Sequence, residues 1–146
     1  MILPDINVLI PALDSSDRDH AKAKRWLEGL FKNREQVAIA DVVQAGVIRV
    51  SSNPNYKDNS IPTTAGLDFF EPMFRAGAVP VSPGPRFRDY LRRTLDDGGM
   101  RGAEVSDAHI AAIALEHGCV VATRDRDFRR FSLIESFDPF SAVDSE

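Results

Sequence analysis

One cysteine in 146 residues, Cys119, excludes any internal disulfide, and its apolar neighbours make it a core thiol. No apolar run approaches the roughly 20 residues of a membrane-spanning helix, which excludes a membrane partner through such a span. Neither a basic region nor a cleavage site follows Met1, so a cytoplasmic protein is expected. No lysine follows Lys57, and the cationic side chains beyond it are arginines, which suit bidentate contact with phosphate. Most of these arginines are expected to pair with Asp89, Asp96, Asp97 and Glu116 on helix surfaces. A net charge of −4 and a pI near 5.4 argue against a simple basic clamp for nucleic acid. No repeat, low-complexity tract or linker divides a chain whose length suits one domain.

The most informative stretch is Gly102 to Phe131. Ser106 is a natural N-cap, after which Ile110, Ile113 and Ala114 recur at helical spacing with alanines between them. Gly118 stands where a left-handed helix stop is expected, and Cys119 to Ala122 is a wholly apolar run of the kind buried in a parallel sheet. Asp107 falls in the helix's first turn, while Asp125 and Asp127 lie just past the strand's carboxyl end, the edge where open α/β sheets bind ligands.

Met1 to Leu3 reads as a first strand that ends in an acid, Asp5. If the strands starting at Met1 and Cys119 are neighbours, Asp5 and Asp125 leave the same edge and Asp107 approaches them. Such a cluster repels itself and drives some members to take up protons unless a cation is present. An all-oxygen donor set favours Mg²⁺ or Mn²⁺ over zinc. The chemistry that follows is metal-assisted phosphodiester hydrolysis, with the acids holding the ion.

The remaining pattern alternates strands and helices. Helical segments are expected at Val8 to Leu13, from Asp17 or Asp19 to Lys32, from an Asp41 cap through Val50, from Thr63 or Thr64 through Ala76, and at Arg86 to Leu95. Strands are expected at Gln36 to Ala40 and Ala78 to Val81, with an edge strand at Leu133 to Ile134. Ser51 to Pro62 is an irregular connection anchored by Tyr56, and a short helix is expected at Phe128 to Phe131. His20 reads as a surface histidine at a helix start in preference to a phosphate contact. Together these indicate an α/β fold, a three-layer α/β/α sandwich around a mostly parallel sheet of four to five strands.

The residues also resemble the PIN-domain ribonucleases, and within them the VapC toxins of toxin-antitoxin pairs. The resemblance runs through Asp5 and Asn7, the helix of His20, Ala23, Trp26 and Leu27, GVIRVSSNP at Gly46 to Pro54, SDAHIAAIALEHG at Ser106 to Gly118, and ATRDRDFRRF at Ala122 to Phe131. It implies a PIN domain over residues 1–135 followed by a C-terminal tail at 136–146, and Mg²⁺- or Mn²⁺-dependent cleavage of RNA. It also implies a homodimer, with Phe69, Phe70, Met73 and Phe74 as interface candidates, and a VapB-like antitoxin that blocks the acidic site.

Carried over residue by residue, Asp5, Asp107 and Asp125 fall on the family's metal-binding acids, with Asn7 and Thr123 orienting them. Asp127 either accepts a water or caps the short helix after it. The chain departs from the family at Gln44, where a glutamate is usual, so one ion is expected in preference to two.

Two alternatives remain at this level. A PIN-like RNA- or protein-binding module without cleavage rests on Gln44 alone. A haloacid dehalogenase-like phosphatase needs an acid where this chain has Asn7, and a lysine where none follows Lys57.

Overall fold

The computed structural model describes residues 1–56 and 60–141. Among the described residues five short strands form a three-stranded and a two-stranded parallel sheet, set edge to edge. β1 (Ile2–Pro4) pairs with β4 (Val120–Ala122), matching Ile2 with Val120 and Pro4 with Ala122, and β4 pairs in turn with β5 (Ser136–Phe137). β2 (Ala38–Ala40) pairs with β3 (Val79–Val81), and a parallel bridge between Ile2 and Val37 joins this pair to β1. The order is therefore β3-β2-β1-β4-β5. Leu3, Ala38, Ile39, Ala40, Val121 and Ala122 are fully buried, because helices cover both faces of a parallel sheet.

On one side α1 (Ile6–Leu13) packs against α2 (His20–Lys32) and α3 (Asp41–Ser52), and α3 against α4 (Thr63–Asp68). A separate pair is formed by α6 (Phe87–Gly98) and α7 (Val105–His117). The alanines of α7 explain that close fit: Ala108, Ala111, Ala112 and Ala114 are all buried, as the helix packs on α6 and on β4. Buried Thr94 of α6 donates its hydroxyl to the Ala108 carbonyl at 2.9 Å. Gly118 ends α7 in the left-handed conformation, φ 67°, and Cys119 N–H returns to the Ala114 carbonyl at 2.8 Å. No helix among the described residues is long and apolar enough to cross a membrane.

Several local expectations are corrected. α7 begins at Val105, directly after a 3₁₀ turn at Gly102–Glu104, so Ser106 lies inside the first turn and caps nothing. Asp41 is likewise the first residue of α3, preceded by Ala40 at the cap position. The segment expected as one helix from Thr63 to Ala76 is broken into α4 and α5 (Glu71–Arg75). Pro72 explains the break, since it lacks an N–H and its ring clashes with the carbonyl four residues back.

The edge strand lies at Ser136–Phe137, not at Leu133 to Ile134, so the sheet continues into the segment expected as a tail. Residues 142–146 of that tail, and 57–59 of the Ser51 to Pro62 connection, lie outside the described residues. Tyr56 does anchor the connection, donating to Asp14 Oδ2 at 3.2 Å.

Candidate active site

Asp5 follows β1 directly and caps α1, its Oδ1 accepting Ile6 N–H at 2.7 Å. Its other oxygen, Oδ2, accepts the Thr123 hydroxyl at 2.8 Å. Thr123 is buried at the end of β4, and its oxygen also accepts Asn7 Nδ2 at 3.1 Å and Asp125 N–H at 3.1 Å. Asn7 Oδ1 accepts Arg124 N–H at 3.0 Å, which closes the loop after β4 onto the first turn of α1. Asp5, Asn7, Thr123 and Asp125 thus form one hydrogen-bonded unit across two adjacent strand ends.

Electrostatics adds Asp107. Burial pushes the Asp5 carboxyl above its usual pKa, against the pull of hydrogen bonds from Thr123 and Ile6, and the charge of Asp125 adds to the rise. The Asp107 carboxyl is pushed up to about 6, by burial first and then by the charges of Asp125 and Asp5. Arg130 opposes that rise and Asp127 adds to it. The carboxylates are close enough to disfavour one another's charge.

As the side chains stand, no three acids, histidines or cysteines among the described residues are gathered tightly enough to hold a metal ion. The donor chemistry nevertheless fits a hard cation. Asp107 accepts no hydrogen bond among the described residues, and Asp125 commits only Oδ1, to Asp127 N–H at 2.9 Å. That bond also answers the capping question: Asp125, not Asp127, caps the 3₁₀ turn at Arg126–Arg130, which replaces the helix expected at Phe128 to Phe131.

Gln44 lies in the first turn of α3, half-buried, on the helix that leaves the carboxyl end of β2. α3 approaches the site closely at Gly46, where an added Cβ would overlap Ile6 Cδ1, next to Asp5. His20 starts α2 as expected but is half-buried where a surface position was expected, its Nδ1 meeting the Pro11 carbonyl at 2.8 Å.

Arg130 was not singled out by sequence reasoning. It reaches Glu104 Oε2 at 3.3 Å and Asp127 Oδ2 at 3.6 Å, beside Asp107. The only signal for it was local, a cation three residues after Asp127 in DFRRF. The surface pairs expected for other arginines are not found: among the described residues Asp89, Asp96, Asp97 and Glu116 make no ion pair with an arginine. Asp97 accepts Ser132 Oγ and Leu133 N–H, and Glu116 accepts the N–H groups of Gly84 and Arg86.

Residues 2–133 match the PIN domain family. The chain belongs to that family. Among similar sequences, Ribonuclease VapC25 of Mycobacterium tuberculosis is 31% identical over 140 residues, 95% of this chain and 99% of its own length. Among solved structures, FitAB bound to an IR36 DNA fragment superposes with a TM-score of 0.69 at 22% identity, over 96% of each chain. VapBC2 from Rickettsia felis, bound to a DNA fragment from their promoter, superposes at 0.64 with 21% identity, over 94% of this chain and 98% of that one. The two structures share the fold.

Within the PIN domain the parallel neighbours β1 and β4 carry Asp5 and Asp125 out of the sheet side by side. α7 brings Asp107 to the same edge from the opposite direction of the chain. The cluster therefore joins two distant parts of the chain, Asp5 near its start and Asp107 with Asp125 inside Gly102 to Phe131.

Proposed function

We propose that this PIN domain is a metal-dependent endoribonuclease, the toxin of a VapBC-type toxin-antitoxin pair. Asp5, Asp107 and Asp125 would hold Mg²⁺, with Mn²⁺ able to replace it, and Asn7, Gln44, Thr123 and Asp127 would support them. The observation that carries this reading is the meeting of acids at the carboxyl edge of the sheet: Asp5 and Asp125 are joined through Thr123, and Asp107 feels the charges of both. The match to VapC25 over nearly the full length of both chains supports the substrate class.

A bound divalent ion supplies a more acidic water and offsets charge on the phosphorane and leaving oxygen. The side chains do the rest. Thr123 holds Asp5 in place and ties it to Asn7 and Asp125, so that these residues move as a unit. Arg130 tempers the negative field at Asp107 and so favours its ionised, ligating form. Gln44 offers a carbonyl oxygen without charge, which fits one ion better than two.

A VapB-like antitoxin partner is supported by solved neighbours that are VapBC and FitAB assemblies. A cytoplasmic homodimer goes with this reading. Of the four expected interface residues, Phe70 and Met73 are buried in the core, which leaves Phe69 and Phe74.

The decisive experiment is cleavage of a total RNA pool by the purified protein with Mg²⁺ or Mn²⁺, beside Asp5→Asn and Gln44→Glu variants. Metal-dependent cleavage abolished by Asp5→Asn supports the nuclease. Activity appearing only in Gln44→Glu marks a disabled member, and silence from both favours a binding module.

A further inference from the structure

Beside the acidic site lies a cavity of about 100 Å³. Thr123 and Asp125 at the end of β4, Ser136 and Asp138 at the end of β5, and Arg126 and Arg129 form much of its wall. β4 and β5 are parallel neighbours, so the cavity lies at the same carboxyl edge as Asp5. That is several times the roughly 10–15 Å³ of such space that a single water needs, enough to admit a phosphate group.

The arginines around it fall into two kinds. Arg124 is held by Asp19 at 3.2 Å and lies over the Phe140 ring, and Arg130 is engaged by Glu104 and Asp127. Arg126 and Arg129 are exposed, make no ion pair or hydrogen bond among the described residues, and both line the cavity. The Ser136 hydroxyl is likewise without a partner among the described residues. The wall also contains carboxylates, but Asp138 Oδ1 is turned to Phe140 N–H at 2.8 Å and Asp125 Oδ1 to Asp127 N–H. Counting Arg124, three guanidiniums stand against two carboxylates there, next to a cluster of opposite sign.

We propose that this cavity is a subsite for a backbone phosphate of the RNA strand neighbouring the scissile one, held by Arg126, Arg129 and the Ser136 hydroxyl. The proposal rests on the nuclease reading above. An acidic cluster repels an approaching polyanion, and a cationic foothold sharing Thr123 and Asp125 with that cluster sets the strand's register without reading its bases.

The test is the salt dependence of kcat/KM on a single-stranded RNA, for the native protein and the Arg126→Gln/Arg129→Gln double variant. Neutralising one phosphate of a single strand contributes about 0.7 to the magnitude of the log-log slope, so losing the subsite in the double variant should lower it by about 0.7. KM should rise with kcat and melting temperature unchanged. An Arg88→Gln/Arg92→Gln variant on α6 serves as a control for charge loss and should keep the native slope. If the native protein cleaves no RNA with any divalent ion, the nuclease reading fails and the subsite with it. If it cleaves, but the double variant keeps the native slope or the control lowers it equally, the subsite alone fails.

Discussion

Thr123 Oγ1 donates to Asp5 Oδ2 at 2.8 Å across a separation of 118 residues, joining the end of β4 to the end of β1. That hydrogen bond lowers the pKa of a carboxylate that burial raises, and the same oxygen accepts from Asn7 and Asp125.

Thr123→Val removes the donor and the acceptor while keeping the shape. Leaving buried partners unsatisfied costs about 1–3 kcal/mol, so the urea midpoint should fall while Thr123→Ser stays near native. RNA cleavage should drop in the valine variant and return in the serine variant. A valine variant with native stability and activity would remove Thr123 from its positioning role.

The pH dependence follows from Asp107, whose carboxyl is raised from its ordinary 3.8 to about 6. Between those values the folded chain binds a proton that the unfolded chain has released, so the cation-free protein loses stability as pH rises through that window. Asp5 is shifted in the same direction and adds to the trend. Urea midpoints measured across the window should fall with pH, and Asp107→Asn should flatten the profile. Saturating Mn²⁺ should reverse the slope, because a cation favours the ionised acids.

Arg130 lowers the Asp107 pKa from beside it. In Arg130→Gln that opposition is lost, so Asp107 should ionise at a higher pH and the acid limb of the cleavage profile should shift upward, with Arg130→Lys closer to native. A profile that does not move would leave Arg130 as a surface ion pair with Glu104 and Asp127 only.

Gly46→Ala tests the contact of α3 with α1. Alanine is favoured over glycine in a helix by about 1 kcal/mol, but overpacking costs about 1–3 kcal/mol. The added Cβ overlaps Ile6, whose branched side chain is stiff at χ1, so a net loss in melting temperature is expected. Ile6→Val in the Gly46→Ala background should recover part of it. A gain in melting temperature for Gly46→Ala alone would show that Ile6 moves aside freely.

Much of the fold was legible because strands and helices here carry strong local patterns. Apolar Cys119 to Ala122 after Gly118 announced a buried strand, and Asp5 and Asp125 stood out as acids within three residues of the ends of apolar runs. Helix starts were less legible. Ser106 and Asp41 have capping chemistry, yet both lie inside the first turn, because the preceding turn and strand already set the backbone direction there. The edge strand was missed for a related reason: Ser136–Phe137 has no apolar run and is defined by pairing with β4.

The sequence by itself determined the alternation of elements, the stop at Gly118 and the positions of Asp5, Asp107 and Asp125 relative to their own strands and helix, because these depend on neighbours a few residues away. Packing settled that β1 lies against β4 in a register that sets Thr123 on Asp5, that Arg130 stands beside Asp107, and that Arg126 and Arg129 line a cavity without partners among the described residues. Those relationships join segments up to 118 residues apart. They come from strand pairing and packing on a shared core, and no local periodicity carries that information.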